Sequence, residues 1–398
     1  MGSAARFGTD DDVDGLWDLF RTGFGAAARE RDAWMAGVDP ARALIVDGPH
    51  GEIAAASHIR AFTQSFGGRG VPMAGFSPVA VLPEHRGRGL GRLVTAGQFA
   101  DLRDRGEVIS GLFPASLALY RAVGFEVAGS YVHRRLRADD VGRIAPVRPV
   151  DVRRGTLDDV AAVHRCHAAI VPGRDGAVQR SSRSWAERLP ADLAETMLYV
   201  VDDPGAAGEV VGYAIYRHGR GRAPYDYSVV VGEVLSDDAD VVRALWRVVA
   251  SSGSQAPDLD VIGPADDDLF LLVDHSPPDV VVSEIRWMLR LVDLAGAVDA
   301  RGWPAAAAGR VHLSVVDEHA PWNEGRWVLE VGDGRASARP GGDGTVEATI
   351  GGLSAWWAGF ASATRLARTG HLRSADRSAL ALMDQLLLAV PPVLSDFF

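Results

Sequence analysis

Apolar residues along the first third of the chain switch between two periods, and the switches mark the elements. Val13, Leu16, Trp17, Phe20 and Phe24 recur at three and four, the stripe of an amphipathic helix. Thr9-Asp10-Asp11-Asp12 before it supplies an N-cap and acidic first-turn residues. Trp34 sits on a second, short helical stretch. Residues 43–46 and 53–59 read as paired strands joined by a turn containing Asp47-Gly48 and Gly51. Residues 72–82 are rich in β-formers and small residues and end at Pro83. Leu90, Leu93, Val94 and Gly97 then resume the helical period. Strands follow at 108–113 and 125–136. The order βααβββαβαβ predicts a mixed central sheet flanked by helices, an α/β (α+β) fold.

The pattern then recurs. Arg6, Gly8, Thr9, Asp11, Asp12 and Val13 reappear as Arg153, Gly155, Thr156, Asp158, Asp159 and Val160. Leu44-Ile45-Val46-Asp47 is echoed by Tyr199-Val200-Val201-Asp202, and Gly51-Glu52-Ile53 by Gly208-Glu209-Val210. Matches at a nearly constant offset predict a duplicated domain, with Pro146 to Pro149 at the junction. The last hundred residues change character. Strands are expected at 311–315, 327–331 and 346–350, and helices around Trp356-Trp357 and over 379–388. A strand at 284–292 and a helix over 293–300 lead into this part. The boundaries this predicts are 1–146, 147–290 and 291–398.

Composition narrows the function. Forty-seven per cent of the 398 residues are hydrophobic, enough to fill several cores. No apolar run is long enough to span a membrane, and the N-terminus lacks a signal pattern. The single cysteine, Cys166, excludes an internal disulfide and a thiolate metal cluster and fits a cytoplasmic protein. A net charge of -11 argues against nucleic acid and favours small cationic partners. His164 and His167 lie three apart without a carboxylate spacing that would make a metal site, so no metal is expected.

The chemistry concentrates between the strand at 72–82 and the helix that follows. Arg86, Gly87, Arg88, Gly89, Leu90 and Gly91 form an R-x-x-G-x-G turn. Such a turn leaves several backbone N–H groups converging on one spot, a socket for a pyrophosphate, with Arg86 and Arg88 adding charge at its rim. It is neither G-x-G-x-x-G nor a P-loop. With the downstream segment Ala118-Leu119-Tyr120-Arg121-Ala122-Val123-Gly124-Phe125, it resembles the GCN5-related N-acetyltransferases (GNAT). The duplicate has no glycine at the corresponding turn; Ser236-Asp237-Asp238-Ala239-Asp240 stands there, so it is expected to bind no CoA. Ser236 is the expected helix cap. The C-terminal part, with Thr369-Gly370-His371-Leu372-Arg373 as a connector, resembles a sterol-carrier-protein-like α/β domain. Tandem GNAT folds followed by such a domain, together with Ala33-Trp34, Tyr120 and a terminal Phe398, resemble the enhanced-intracellular-survival (Eis) family.

That resemblance implies an acetyl-CoA-dependent N-acetyltransferase acting on amines of aminoglycosides, polyamines or lysine side chains, at several positions, as a hexamer. It implies main-chain contacts from Val79 and Val81 to the pantetheine arm, Tyr120 as general acid, and the Phe398 carboxylate as general base. Trp34 and Phe24 would wall the acceptor pocket, where an aromatic face attracts ammonium groups. Two departures stop the family's substrate range from carrying over: Pro78 replaces an aromatic residue, and Ala26 stands where an acidic one is expected. His85, expected to face solvent, His58, Glu84 and Tyr131 are the substitutes for these roles. A protein-lysine acetyltransferase, and a lipid-binding module working through its C-terminal domain, are the alternative readings.

Overall fold

The computed structural model describes residues 4–181, 185, 189, 193–223, 225–264, 268–273, 280–387 and 391–398. By internal contacts the chain forms two compact units. One comprises residues 1–128, 287–392 and 397–398, the other residues 129–286 and 393–396.

In the first unit the predicted order appears as β1 (Ala5–Phe7), α1 (Val13–Phe24), α2 (Arg31–Met35), β2 (Ala43–Asp47), β3 (Ile53–Phe66), β4 (Arg69–Val81), α3 (Leu90–Ala96), α4 (Phe99–Asp104), β5 (Ile109–Leu112) and α5 (Leu117–Arg121). β6 (Glu126–Arg137) begins in this unit and continues into the second. The strands run β1-β2-β3-β4-β5, and Met288–Leu291 of the strand Val280–Leu291 adds antiparallel to β5. Helix α1 buries Leu16, Trp17, Leu19 and Phe20, and its stripe packs on Ala43, Ile45, Ile53, Ala56 and Ala80. Phe24, expected on the same face, is the last residue of the helix before the left-handed Gly25, and it is 51% exposed.

The C-terminal part of this unit carries a sheet ordered Arg335–Pro340, Gly325–Gly332, Gly309–Val316, Val346–Thr349 and Leu372–Arg373. The first of these strands and the helix Ala363–Arg368 were not expected: both are short, and alternating small and charged residues hide the strand. The last helix runs Arg377–Leu386; Leu388, expected in it, lies outside the described residues. No helix among the described residues is long and apolar enough to cross a membrane.

In the second unit the strands run β6, Asp258–Pro264, Tyr227–Ser236, Val210–Arg220, Thr196–Asp202 and Arg153–Arg154. Both units contain the same clamp. Arg6 Nε donates to Asp47 at 2.7 Å and its terminal nitrogens donate to Asp12 at 2.8 and 2.9 Å. Arg153 does likewise with Asp202 at 2.7 Å and Asp159 at 2.6 and 2.9 Å. The repeated letters are therefore the parts of one device, which ties the first strand to the second and to the helix entrance.

The C-terminal part of the first unit is joined to that unit's first sheet by a fully buried ion pair. Arg290 Nη2 donates to both Asp317 oxygens at 2.8 Å, its Nη1 donates to Val123 O at 2.7 Å, and its guanidinium lies 4.1 Å from the Phe99 ring centre. Asn323 Nδ2 also donates to Asp317. Removing one partner strands a buried charge, so Asp317→Ala is expected to cost about 3–5 kcal/mol. Urea unfolding checks this; replacing the pair together by Arg290→Met and Asp317→Leu should recover most of the loss.

Candidate active site

The site is built where β4 loses one of its neighbours. β4 pairs in parallel with β5 from Met73↔Ile109 to Gly75↔Gly111 and no further. On its other side it stays paired with β3 up to Ala55↔Val81, with a register shift opposite Ser57 to Ile59. Leu82 N donates to Ala54 O at 2.9 Å, so Leu82 and, two residues back, Ala80 turn their main chains toward β3. Val79 and Val81 consequently turn theirs the other way, to the side β5 has left. Arg86 Nε, which donates to Val81 O at 3.3 Å, approaches from that side.

The free edge runs into the glycine turn. Gly87 and Gly89 have φ of 76° and 78°, and a Cβ on either would meet no atom within 4 Å. The backbone N–H groups of Gly87 to Gly91 make no hydrogen bond among the described residues. Arg88 donates to Glu84 O at 3.2 Å. Gly91 sits in a closer setting. A Cβ there would stand 2.9 Å from Leu119 Cδ1, so the glycine lets α3 approach α5.

Helix α5, capped by Ser116, carries Tyr120. The phenol is buried among Ile59, Phe76, Val123 and Phe125, and this burial pushes its pKa up to about 12. Its hydroxyl forms no hydrogen bond among the described residues. Phe398 is half-buried, with its ring 4.6 Å from Phe62 and 5.7 Å from Phe113. A Cβ on Gly75 would stand 2.7 Å from the Phe398 ring, and one on Gly111 3.8 Å from it. The terminal ring thus sits over the last paired rung before the strands part. Phe397 packs on Phe113 at 4.5 Å yet stays 58% exposed, so the expected docking holds for one of the two rings more than the other. Phe62, Phe113, Gly75 and Gly111 were missed from sequence. Glycines inside two strands signal close approach, but not of which partner.

Trp34 is half-buried and contacts Phe24 at 5.7 Å and Trp17 at 6.4 Å. The histidines depart from expectation. His85, expected in solvent, is buried; its Nε2 lies 2.8 Å from Glu52 and its Nδ1 accepts from Arg88 at 3.4 Å, so it braces the turn. His58 is buried, accepts from Asp39 N at 3.1 Å and donates through Nδ1 to Ser77 O at 2.8 Å. Glu84 is exposed. In the second unit Asp238, not Ser236, caps the helix Ala239–Val249, accepting from Asp240 N and Val241 N at 2.9 and 3.1 Å. A carboxylate already occupies the amides that a pyrophosphate would need.

A parted strand leading into a glycine socket is reflected in the likeness to known proteins. Acetyltransferase (GNAT) domain families match residues 4–128 and 176–291, and a sterol carrier protein domain matches 294–395. An uncharacterized N-acetyltransferase of Streptomyces coelicolor is 30% identical over 342 residues, 79% of this chain and 78% of its own. The chain belongs to the GCN5-related N-acetyltransferases. Within that family the enzyme is Eis-like. It shares 27% identity over 416 residues with N-acetyltransferase Eis of Mycobacterium tuberculosis, covering 98% of each chain. A GCN5-related N-acetyltransferase of Kribbella flavida superposes with a TM-score of 0.85 at 30% identity, over 100% of this chain and 98% of that one.

The environment of His58 makes the enzyme's stability acid-sensitive. Burial lowers its pKa from 6.5 to about 4. The unfolded chain therefore takes up the proton first as pH falls, and stability declines between those values by about 3 kcal/mol. Urea midpoints from pH 7 to 4 should show this decline. In His58→Gln, whose amide still donates and accepts, that component should be absent.

Proposed function

We propose that the enzyme transfers acetyl from acetyl-CoA to primary amines of cationic acceptors, such as aminoglycosides, polyamines or lysine side chains. The reading rests on one observation: the main chain of Val79 and Val81, which no strand pairs on the side β5 has left, leads through residues 82–86 to the amides of Gly87 to Gly91, which bond to no group among the described residues. An extended arm ending in a pyrophosphate has hydrogen-bonding requirements that match this edge and socket. Arg86 and Arg88 add positive charge beside it. The net charge of -11 suits cationic acceptors, and Trp34 and Phe24 offer aromatic faces to them. The three-part division at residues 146 and 290 belongs to the same reading.

In the chemical step the amine nitrogen bonds to the acetyl carbonyl carbon and the C–S bond breaks. The amine's proton goes to the Phe398 carboxylate, whose reference pKa is about 3.3–3.7, directly or through a water. The thiolate takes its proton from Tyr120. With a pKa of about 12, this phenol stays protonated across the neutral range and is available as a donor. The apolar surroundings that hold it neutral also make an adjacent thiolate more basic. Among the described residues, the other candidates are placed elsewhere: His58 is saturated, His85 is paired and Glu84 is in solvent.

Two experiments test the reading. Gly89→Val fills the open space above the turn and strains a left-handed backbone, so the KM for acetyl-CoA should rise at least about tenfold; wild-type kinetics would remove the cofactor assignment. A short peptide added after Phe398 displaces the carboxylate while leaving both rings in the chain. This variant should keep its acetyl-CoA affinity and lose about a hundredfold in kcat, followed as CoA release with a panel of aminoglycosides, polyamines and lysine peptides.

A further inference from the structure

The second GNAT copy has no such glycine turn, yet among its described residues Arg180 is a nearly fully buried cation, and that cation holds the tail of the chain. Arg180 has 1% of its side chain exposed. Its Nη1 and Nη2 donate to the Glu233 oxygens, both at 2.7 Å, and its Nε and Nη2 donate to Asp396 at 2.8 and 3.3 Å. Tyr213 Oη donates to Glu233 at 2.7 Å, and the Arg180 guanidinium lies 4.9 Å from the Trp185 ring centre. The tail is held by backbone and apolar contacts as well. Val393 N donates to Asp175 O at 2.7 Å, and Leu394 is fully buried.

Glu233 has a telling place in the sheet. The strand Tyr227–Ser236 pairs in parallel with Asp258–Pro264 only from Ser228↔Asp258 to Val231↔Val261, and its register against Val210–Arg220 shifts between Ile215 and Tyr216. This is the same break that opens β4 in the first copy. Glu233 lies two residues past the last parallel pair, on the stretch equivalent to the free edge at Val79. Where the first copy presents unpaired main chain, the second presents a carboxylate, and Arg180 links that carboxylate to the tail.

We propose that the second copy's cofactor cleft has been converted into an anchor for the chain's C-terminal segment, with Arg180 and Asp396 as positioning residues for the terminal carboxylate. The inference rests on the reading of the Phe398 carboxylate as base. Asp396 is two residues from Phe398, and a chain spans at most about 3.6 Å per residue. Fixing Asp396 therefore limits the terminal carboxylate to a small volume before any ring contact is made. Ordering a chain end costs conformational entropy, and a buried, bidentate guanidinium is a donor that offsets it. Neither residue touches the reacting atoms.

Asp396→Asn is the informative variant, because it leaves Arg180 paired with Glu233 and avoids an unpaired buried cation. The expected result is a kcat lowered about ten- to a hundredfold at an unchanged KM for acetyl-CoA. Carboxypeptidase A should release Phe398 at least about tenfold faster, since cleavage follows the population of the undocked end. Asp396→Glu, which keeps the carboxylate, should restore much of both. Wild-type kcat and Phe398 release in Asp396→Asn would overturn the anchor. So would less folded enzyme with unchanged kcat per folded molecule, the signature of a merely structural contact. The C-terminally extended enzyme separates the two ideas. If extension abolishes turnover while Asp396→Asn is fully active, the base stands and the anchor falls. If the extended enzyme keeps full kcat, the base itself is wrong and the anchor has no carboxylate to position.

Discussion

The candidate active site depends on β4 keeping one neighbour and losing the other. Up to Gly75 the strand is bonded on both sides; beyond it only β3 remains. A buried sheet edge is ordinarily costly, because each unpaired amide and carbonyl forfeits a hydrogen bond. Here the alternation of an antiparallel ladder concentrates those groups at Val79 and Val81, and the strand delivers them to the Gly87–Gly91 turn. Aromatic rings pack where the edge begins. Phe76 and Phe125 meet edge-on at 5.9 Å, and the Phe398 ring covers the Gly75–Gly111 rung.

Tyr120 owes its position to the C-terminal domain as much as to its own helix. The turn after α5 is gripped from two sides: Arg290, on the strand Val280–Leu291, donates to Val123 O, and His319 Nε2 of the C-terminal domain lies 3.0 Å from Ala122 O, while a Cβ on Gly124 would clash with the Arg290 guanidinium. Arg121 and Glu126 close the same turn with hydrogen bonds of 2.7 to 3.1 Å. In this enzyme the sterol-carrier-like domain therefore does a clear mechanical job. It supplies Asp317, the carboxylate that holds Arg290 where its guanidinium donates to Val123 O behind the phenol, and the Phe66–Trp357 contact at 4.7 Å extends the same interface to the β3–β4 hairpin.

The duplicated folds diverged by small chemical changes at one turn. Both kept the arginine clamp and the Thr-x-x-Asp capping box that start the fold. They differ where the central strand meets its helix. Left-handed glycines with free amides in one copy are replaced by Asp238, which satisfies the helix N-terminus with its own carboxylate, in the other. An internal anion makes an external one redundant.

By itself the sequence determined most of the elements, the duplication and the glycine turn, because these follow from local rules: period, capping and the positive φ that glycine permits. The R-x-x-G-x-G turn was legible for that reason, and so was the loss of its counterpart in the second copy. What depended on distant partners was not legible. His85 reads as a surface residue until Glu52, from another turn, is found beside it, and Phe24 continues the stripe of α1 yet lies half-exposed at the end of the helix. The parting of β4 and β5 is a property of two strands together, and no residue in either announces it. Nor does the sequence reveal that Arg180 meets Asp396 across 216 positions. A buried charge finds its partner through packing, and packing is decided only when the whole chain has folded.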